Sequence, residues 1–451
     1  MHMMAAGGEA QKRGRKEPLS AMQLRVLFLV LLLYTIDGAD MQILGVTVAA
    51  LSHEWGVPLA GFGAAMAAGH AGSAIGASVG GILGDRFGRR PVIIGGTIFF
   101  GFFSLAMVLA TTPAHAMILR FIAGLGMGGC LPPALALLTE CLPAGRRSLA
   151  VSLAILCAPL GISIAGFLGA TVLPVHGWQT MFVIAGVVPF ALGMLFYVSL
   201  PESPSYLARC PERGSELARL LTRLGSAELR AAAVESKAGK RGALGGLFTP
   251  AHRAGFLLLL AIFFFSFGSM SIVLSWLPAL LTKVGFSVQI ASTALSSWSL
   301  AGIAGVLVAG LLMSRFGTRL IVLVYMAGSI AVLGLVAITL PRSDEAAALL
   351  LFYGLIAAGG FALNGTMTTI YAYAAVNLAP EVRATGIGLA ATCGRLGGIA
   401  GALAGAALLN FSGANGFFAL TAAVIGVALL LFVSMLWVGG LRTNSVSAVK
   451  T

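Results

Sequence analysis

Apolar residues run along this chain in blocks too long and too continuous for strands or for the helices of a soluble domain. Six blocks lie at approximately 25–50, 60–83, 91–111, 115–138, 148–172 and 178–200, and six more at 254–281, 289–313, 319–340, 346–376, 384–410 and 416–438. Each is near or above the ~20 residues an α-helix needs to cross a hydrocarbon core. Polar breaks between blocks are short except over 201–253, where charged residues, Pro and Gly interrupt the pattern as in a linker. The pattern predicts an all-α polytopic membrane protein with twelve transmembrane helices in two six-helix, pseudo-symmetric halves. Its expected segments are a tail over 1–24, a bundle over 25–200, the linker over 201–253, a second bundle over 254–438 and a tail over 439–451.

Composition agrees: 58% of the 451 residues are hydrophobic and 10% are charged, with a mean hydropathy of +0.98, which no soluble domain of this size would show. The basic excess is spread over one set of loops. Lys12, Arg13, Arg15, Lys16, Arg25, Arg86, Arg89, Arg90, Arg146, Arg147, Arg315, Arg319 and Arg383 fall on one side with the linker, against Lys283 and Arg342 on the other. The positive-inside rule then places both termini and the linker in the cytoplasm. A charge so distributed is not a nucleic-acid patch, and the linker's basic run reads as a solvated face near anionic lipid. The five cysteines have no metal-ligand spacing and imply neither a disulfide framework nor a metal site. The polar, basic N-terminus precedes a segment too long and too acidic for a cleaved signal peptide.

Two aspartates, Asp37 and Asp40, interrupt the first block. A charged carboxylate at bilayer depth costs roughly 3 kcal/mol or more, so it persists only against a polar cavity or a partner. Three residues apart, the two share a helix face, and two like charges that close are equipped to take up and release a proton. The alternative is that both only pair with basic side chains of neighbouring helices. Two arginines also lie inside apolar blocks, Arg120 at the start of the fourth and Arg395 about a dozen residues into the eleventh. A guanidinium keeps its charge when buried and matches a carboxylate with its planar fork, so both are candidate ligands for an anionic substrate. A salt bridge from Arg395 to Asp37 or Asp40 is the competing reading. Trp298, Tyr371 and Asn364, in the eighth and tenth blocks, could contact a ring and its hydroxyl. His70, mid-block, is read as a cavity-lining polar residue rather than a relay.

The halves repeat. Gly84-Asp85-Arg86-Phe87-Gly88-Arg89-Arg90 recurs as Met313-Ser314-Arg315-Phe316-Gly317-Thr318-Arg319, and Leu156-Cys157-Ala158-Pro159-Leu160-Gly161 as Thr392-Cys393-Gly394-Arg395-Leu396-Gly397. A repeat of six spans predicts a ligand near the midplane and halves that rock. Asp85, Arg86, Arg89 and Arg90, with Gly88 for the tight turn, can bond across to a neighbouring helix end, where Glu140, Arg146 and Arg147 are the expected partners. With Arg315 in the second copy, these form a candidate gating latch. Gly124-Leu125-Gly126-Met127-Gly128-Gly129 has a dinucleotide-like spacing but lies inside an apolar helix, so it is read as packing glycine, as are the rows Gly69, Ser73, Ala77, Gly81 and Gly397, Gly401, Gly405.

The run from Gly81 to Arg90 resembles the signature loop of the major facilitator superfamily, and with Arg120, Glu140, Arg147 and Pro201-Glu202-Ser203-Pro204 the likeness covers nearly the whole chain. Within that superfamily, Asp37-Gly38-Ala39-Asp40 and Arg383-Ala384-Thr385-Gly386, leading to Arg395, resemble the aromatic acid:proton symporters. Ala39 stands where that family usually has an aromatic residue, and Ser314 where the second signature loop usually carries an acid, which implies a weaker gate there. The resemblance implies proton-coupled uptake of a small aromatic carboxylic acid across the inner membrane by alternating access. Protons would be the coupling ion, with no cofactor, in a lipid-embedded chain expected to act as a monomer. An organic-anion exchanger or efflux antiporter would keep the arginines without needing the aspartates. A membrane sensor would need a folded linker domain, and an enzyme would need a nucleophile, metal or cofactor constellation that the sequence lacks.

Overall fold

The computed structural model describes residues 18–225, 253–339, 346–378, 382–411 and 413–437. Most of the N-terminal tail, linker residues 226–252, Arg342 and the tail after 437 lie outside the described residues. Every regular element among the described residues is helical. Twelve long helices follow in order: α1 (Ala21–Trp55), α2 (Gly63–Phe87), α3 (Arg89–Ala106), α4 (Pro113–Cys141), α5 (Ala144–Thr171), α6 (Leu173–Ser199), α7 (Arg253–Lys283), α8 (Val288–Phe316), α9 (Thr318–Thr339), α10 (Ala346–Asn377), α11 (Arg383–Phe411) and α12 (Gly413–Trp437). Each coincides with one apolar block, and eleven are long and apolar enough to cross a membrane. The twelfth, α2, is as long as α12 but is built largely of Gly and Ala and carries His70, Asp85 and Arg86, which lowers its hydropathy. In α6 the backbone breaks at Gly177 (φ 76°, ψ 172°), so its apolar part begins where the sixth block does.

Small residues let helix backbones touch, and the pairs so formed repeat in the two halves. A Cβ on Gly38 would overlap Ala158 of α5, and one on Gly161 would lie 2.7 Å from the Ala39 amide nitrogen of α1. The equivalent pair in the second half, α7 with α11, closes over Gly397 and Gly401, where a Cβ would overlap the Phe264 and Gly268 carbonyls. Likewise α2 meets α4, and α8 meets α10 at Gly305 and Gly360. On α2 the seam runs through Gly72, Gly76 and Gly80, each against a carbonyl of α4, with Ser73 against Gly128. Of the expected row of Gly69, Ser73, Ala77 and Gly81, Ser73 therefore lies in this seam, whereas Gly81 faces open space.

The described chain packs into two compact units whose borders fall inside α1, α2, α5 and α6. One contains the chain through Met41, Gly72–Gly161 and the stretch from Gln179 into the linker; the other contains Gln42–Ala71, Ile162–Trp178 and the second set of six helices. In this second unit the far ends of α1 and α5 pack on α7 and α8. A Cβ on Gly45 would lie 2.9 Å from the Ser275 carbonyl and one on Gly166 would lie 2.7 Å from that of Ser292, while Ser296 Oγ donates to the Ser163 carbonyl at 2.9 Å. Trp178 Nε1 donates to Glu54 at 2.6 Å, edge-on to Trp55.

The seams predict a sharp contrast between glycines. Gly161→Ala overpacks α1 against α5 and should cost about 1–3 kcal/mol, lowering the unfolding temperature of the detergent-purified protein. Gly95→Ala, with nothing within 4 Å, should leave it unchanged or raise it. Equal unfolding temperatures for the two variants would contradict the close approach.

Candidate functional site

Midway along α1, next to the Gly38–Ala158 contact, the first unit holds a buried ion pair. Arg120, two turns into α4, donates from Nη1 to Asp40 Oδ1 at 2.7 Å and from Nη2 to Oδ2 at 2.9 Å. The same Nη2 reaches the Asp40 backbone carbonyl at 3.1 Å. Asp40 and Arg120 are 5% and 4% exposed, so the fork is matched bidentately where neither charge has much water. Asp37, one turn earlier on α1, is half-buried. The sequence brings Arg120 forward as a substrate ligand; the structure places it on Asp40.

A second polar cluster ties together the end of this unit from which the linker leaves. Gly88, the single residue between α2 and α3, has φ 100°, outside the range side chains favour. A Cβ there would also lie 2.5 Å from Glu202 Oε2. The space lets Glu202 Oε1 accept from the backbone amides of Arg89 (2.9 Å), Arg90 (3.2 Å) and Ser203 (2.8 Å), capping the first turn of α3 with a carboxylate. Arg89 binds Glu140 at the end of α4 and stands 3.8 Å from Asp85. Ser203 Oγ donates to the same Glu140. Arg147, an expected partner of Glu140, instead donates from Nε to the Leu142 carbonyl at 2.9 Å. Arg86 lies over the ring of Phe87 and Arg90 over that of Tyr197. The repeat loop of the second half keeps the turn, with Gly317 at φ 83°, but Gly317 abuts nothing, Ser314 bonds only its own helix, and Arg315 lies over Phe316.

In the second unit α11 presents Arg395 midway along its length. The residue is exposed and makes no hydrogen bond or ion pair among the described residues. A guanidinium at this depth needs water or a ligand rather than acyl chains. On α10, Tyr371 stands edge-on to Phe263 at 4.8 Å and to Phe267 at 6.1 Å. Gly394 packs on the ring of Phe267. Phe263 and Phe267 lie nearly parallel, 6.2 Å apart at 13°, both edge-on to Tyr371. A cation near such a ring cluster can hold a carboxylate and an aromatic ring together, since ring pairs favour offset-stacked or edge-to-face contact at 4.5–7 Å. Two other proposed ligands lie elsewhere. Trp298 is fully buried in the α8–α10 seam against Gly359 and Gly360, and Asn364 is 8% exposed in the same seam, donating to the Gly360 carbonyl at 2.9 Å. His70 is half-buried in α2.

Sequence reasoning gave no role to Glu202, Phe263 or Phe267. Glu202 carried one usable signal, an acid at the start of the linker in a chain whose tight turn exposes helix N–H groups. The phenylalanines carried none, being two among 26. Among the described residues no group of three or more His, Cys, Asp or Glu could hold a metal ion.

Twelve paired helices carrying charges at mid-depth define a polytopic membrane transporter. The chain belongs to the Major Facilitator Superfamily, whose family model matches residues 30–402 and, in a second match, 259–447. It is 33% identical over 397 residues to the gallate transporter of Pseudomonas putida, covering 87% of each chain. To the 4-hydroxybenzoate transporter PcaK of Acinetobacter baylyi it is 31% identical, over 89% of this chain and 88% of that one. The xylose transporter XylE from E. coli, in a partially occluded inward-open structure, shares the fold with a TM-score of 0.69 at 18% identity, over 92% of this chain and 99% of that one. This protein is therefore a transporter and not an enzyme.

The buried pair makes a direct prediction. Arg120→Ala strands the Asp40 carboxylate and should cost about 3–5 kcal/mol, while Asp40→Ala combined with Arg120→Ala should recover much of that loss. Thermal unfolding of the two single variants and the double variant measures the coupling; additive losses would show that the two side chains do not depend on each other.

Proposed function

We propose that this protein takes up a small aromatic carboxylic acid together with protons, by alternating access, across a bacterial-type inner membrane. The observation that carries the reading is Arg395, a mid-helix guanidinium with no carboxylate partner among the described residues, beside Tyr371, Phe263 and Phe267. Such a group matches the acids named for the gallate and 4-hydroxybenzoate transporters. The basic loops support cytoplasmic termini by the positive-inside rule, and the domain reading is two six-helix halves joined by the linker.

Energetics favour protons as the partner. Moving a monoanion inward against an inside-negative potential costs ~2.3 kcal/mol per 100 mV. One accompanying proton cancels that penalty, and a second makes the potential a driving force. Asp37 and Asp40 are the proposed proton carriers. Protonation of Asp40 removes the charge from its bidentate bond to Arg120 and weakens it, so proton binding alters a contact between α1 and α4. Arg395 holds the substrate carboxylate, and Tyr371 the ring. The Asp85, Arg86, Gly88, Arg89, Arg90, Glu140 and Arg147 cluster, with Arg315 in the second loop, is the proposed gate, made and broken once per cycle.

Uptake into proteoliposomes under an imposed pH gradient tests the coupling. Wild type should accumulate 4-hydroxybenzoate above the external concentration, whereas Asp37→Asn and Asp40→Asn should only equilibrate it. Gradient-driven accumulation by both variants at the wild-type level would remove the aspartates from coupling, and exchange unaffected by the gradient would favour an antiporter.

Arg395 is tested by binding. Arg395→Lys keeps the charge but loses the planar fork, so affinity for the acid should fall about tenfold or more, consistent with the ~1.5–3 kcal/mol of a charged hydrogen bond. Folding should be unaffected, because no carboxylate is stranded. Normal binding by Arg395→Lys and Arg395→Ala in a ligand-induced thermal shift would return the residue to a scaffold role.

A further inference from the structure

A cavity of about 570 Å³ opens on the first unit where α1 begins, α6 ends and the linker helix Gly214–Leu224 docks. That helix is strongly two-sided. Leu220 and Leu224 join the core formed by α1, α3, α4 and α6, with Leu217 and Leu221 packed against it. The opposite side turns Ser215, Glu216, Arg219 and Arg223 toward the cavity. Arg25 from the first turns of α1, and Arg90 and Arg213, complete a lining that also includes Glu202 and Glu212.

Two of the three acids are already engaged. Glu202 Oε1 accepts three backbone amides, and Glu216 forms a bidentate pair with Arg213 at 2.9 and 3.0 Å. Partial burial works against the Arg213 charge, but the hydrogen bond and charge of Glu216, with Glu202 and Tyr206 nearby, keep its pKa above the ordinary value. Arg90 is only partly satisfied: Nη2 donates to the Tyr197 carbonyl at 2.6 Å, while the buried Nε has no hydrogen-bond partner. Arg25, Arg219 and Arg223 are exposed and make no ion pair among the described residues. Arg219 and Arg223 stand four apart on one helix face, an arrangement that repels unless an anion intervenes. The concavity is therefore lined by five arginines against three glutamates, and Arg25, Arg219 and Arg223 are the guanidiniums that make no ion pair among the described residues. The wall is apolar at one side, where Val198 is 81% exposed and α1 continues with exposed Leu24 and Phe28.

We propose that this cavity binds a phosphate group, held by the guanidinium forks of Arg25, Arg219 and Arg223. Arginine suits phosphate because its planar donors match two oxygens at once, and basic pockets at the ends of membrane helices take anionic headgroups. The exposed apolar wall suits the glycerol and acyl part of a phospholipid. A soluble phosphate compound would use the same three arginines without that wall. None of the residues lining it is among those assigned to substrate or protons, so the proposal stands whether or not that assignment does.

The test uses the full-length protein in detergent, with thermal unfolding followed as phosphatidylglycerol, phosphatidylcholine or inorganic phosphate is added at constant ionic strength. Phosphatidylglycerol should raise the unfolding temperature of wild type where phosphatidylcholine does not. In Arg219→Gln/Arg223→Gln the half-saturating concentration should rise about tenfold or more, as expected for losing charged hydrogen bonds. Arg253→Gln/Arg319→Gln, which removes the same charge elsewhere, should respond like wild type. An effect of inorganic phosphate equal to that of the lipid, and lost in the same variant, supports the site with a soluble ligand as its source. Stabilisation by neither, or the same stabilisation in both double variants, overturns the proposal. If Arg219→Gln/Arg223→Gln unfolds before addition, Arg25→Gln, which leaves the linker helix intact, carries the same comparison.

Discussion

A charge placed in the interior of a bilayer must be paired or wetted, and this constraint organises the whole structure. Asp40 and Arg120 solve it by pairing, with both carboxylate oxygens taken by one guanidinium and both side chains nearly inaccessible. Arg395 has no such partner among the described residues and is exposed instead. The contrast separates a cation committed to the protein from one available to something else. The pair also joins α1 to α4 through a charged, bidentate bond. Buried pairs of this kind contribute little net stability compared with apolar packing, although removing one partner alone is costly.

Much of the fold was legible because the bilayer imposes a length on apolar blocks, and the twelve helices fall where the blocks are. What the pattern could not give was rotation. Gly69 to Gly81 and Gly72 to Gly80 have the same spacing in sequence, and only packing decides that Gly72, Gly76 and Gly80 meet α4 together with Ser73 while Gly81 does not. The site was legible to the same extent. Asp37, Asp40, Arg120 and Arg395 stand out because charges are rare in these segments, but which pairs with which depends on helix neighbours. Trp298 was a reasonable ring contact by type and lies sealed in a helix seam. Phe263 and Phe267 stand beside Tyr371 and could not be told from the other phenylalanines.

The two signature loops show how a repeat diverges. Both keep the glycine in the left-handed region, at 88 and 317, because the one-residue turn demands it. Only the first is surrounded by acids that reach its amides and arginines; the second has Ser314 bonded to its own helix and open space around the turn. The geometry of the turn and the charge around it are thus separable, and the linker, through Glu202 and Ser203, supplies part of the first loop's partners.

The glycine seams also constrain how such a protein can acquire new substrates. At Gly38, Gly161, Gly397 and Gly401 a single added methyl group meets a backbone of the facing helix rather than a side chain that could move aside. Variation at these positions is closed to stepwise change, since any intermediate would have to separate two helices at once. Phe263, Phe267 and Tyr371 meet one another through side chains, where an exchange that conserves volume needs only local adjustment. A lineage can therefore vary side chains that meet ring to ring one at a time, while the glycines of the seams stay fixed.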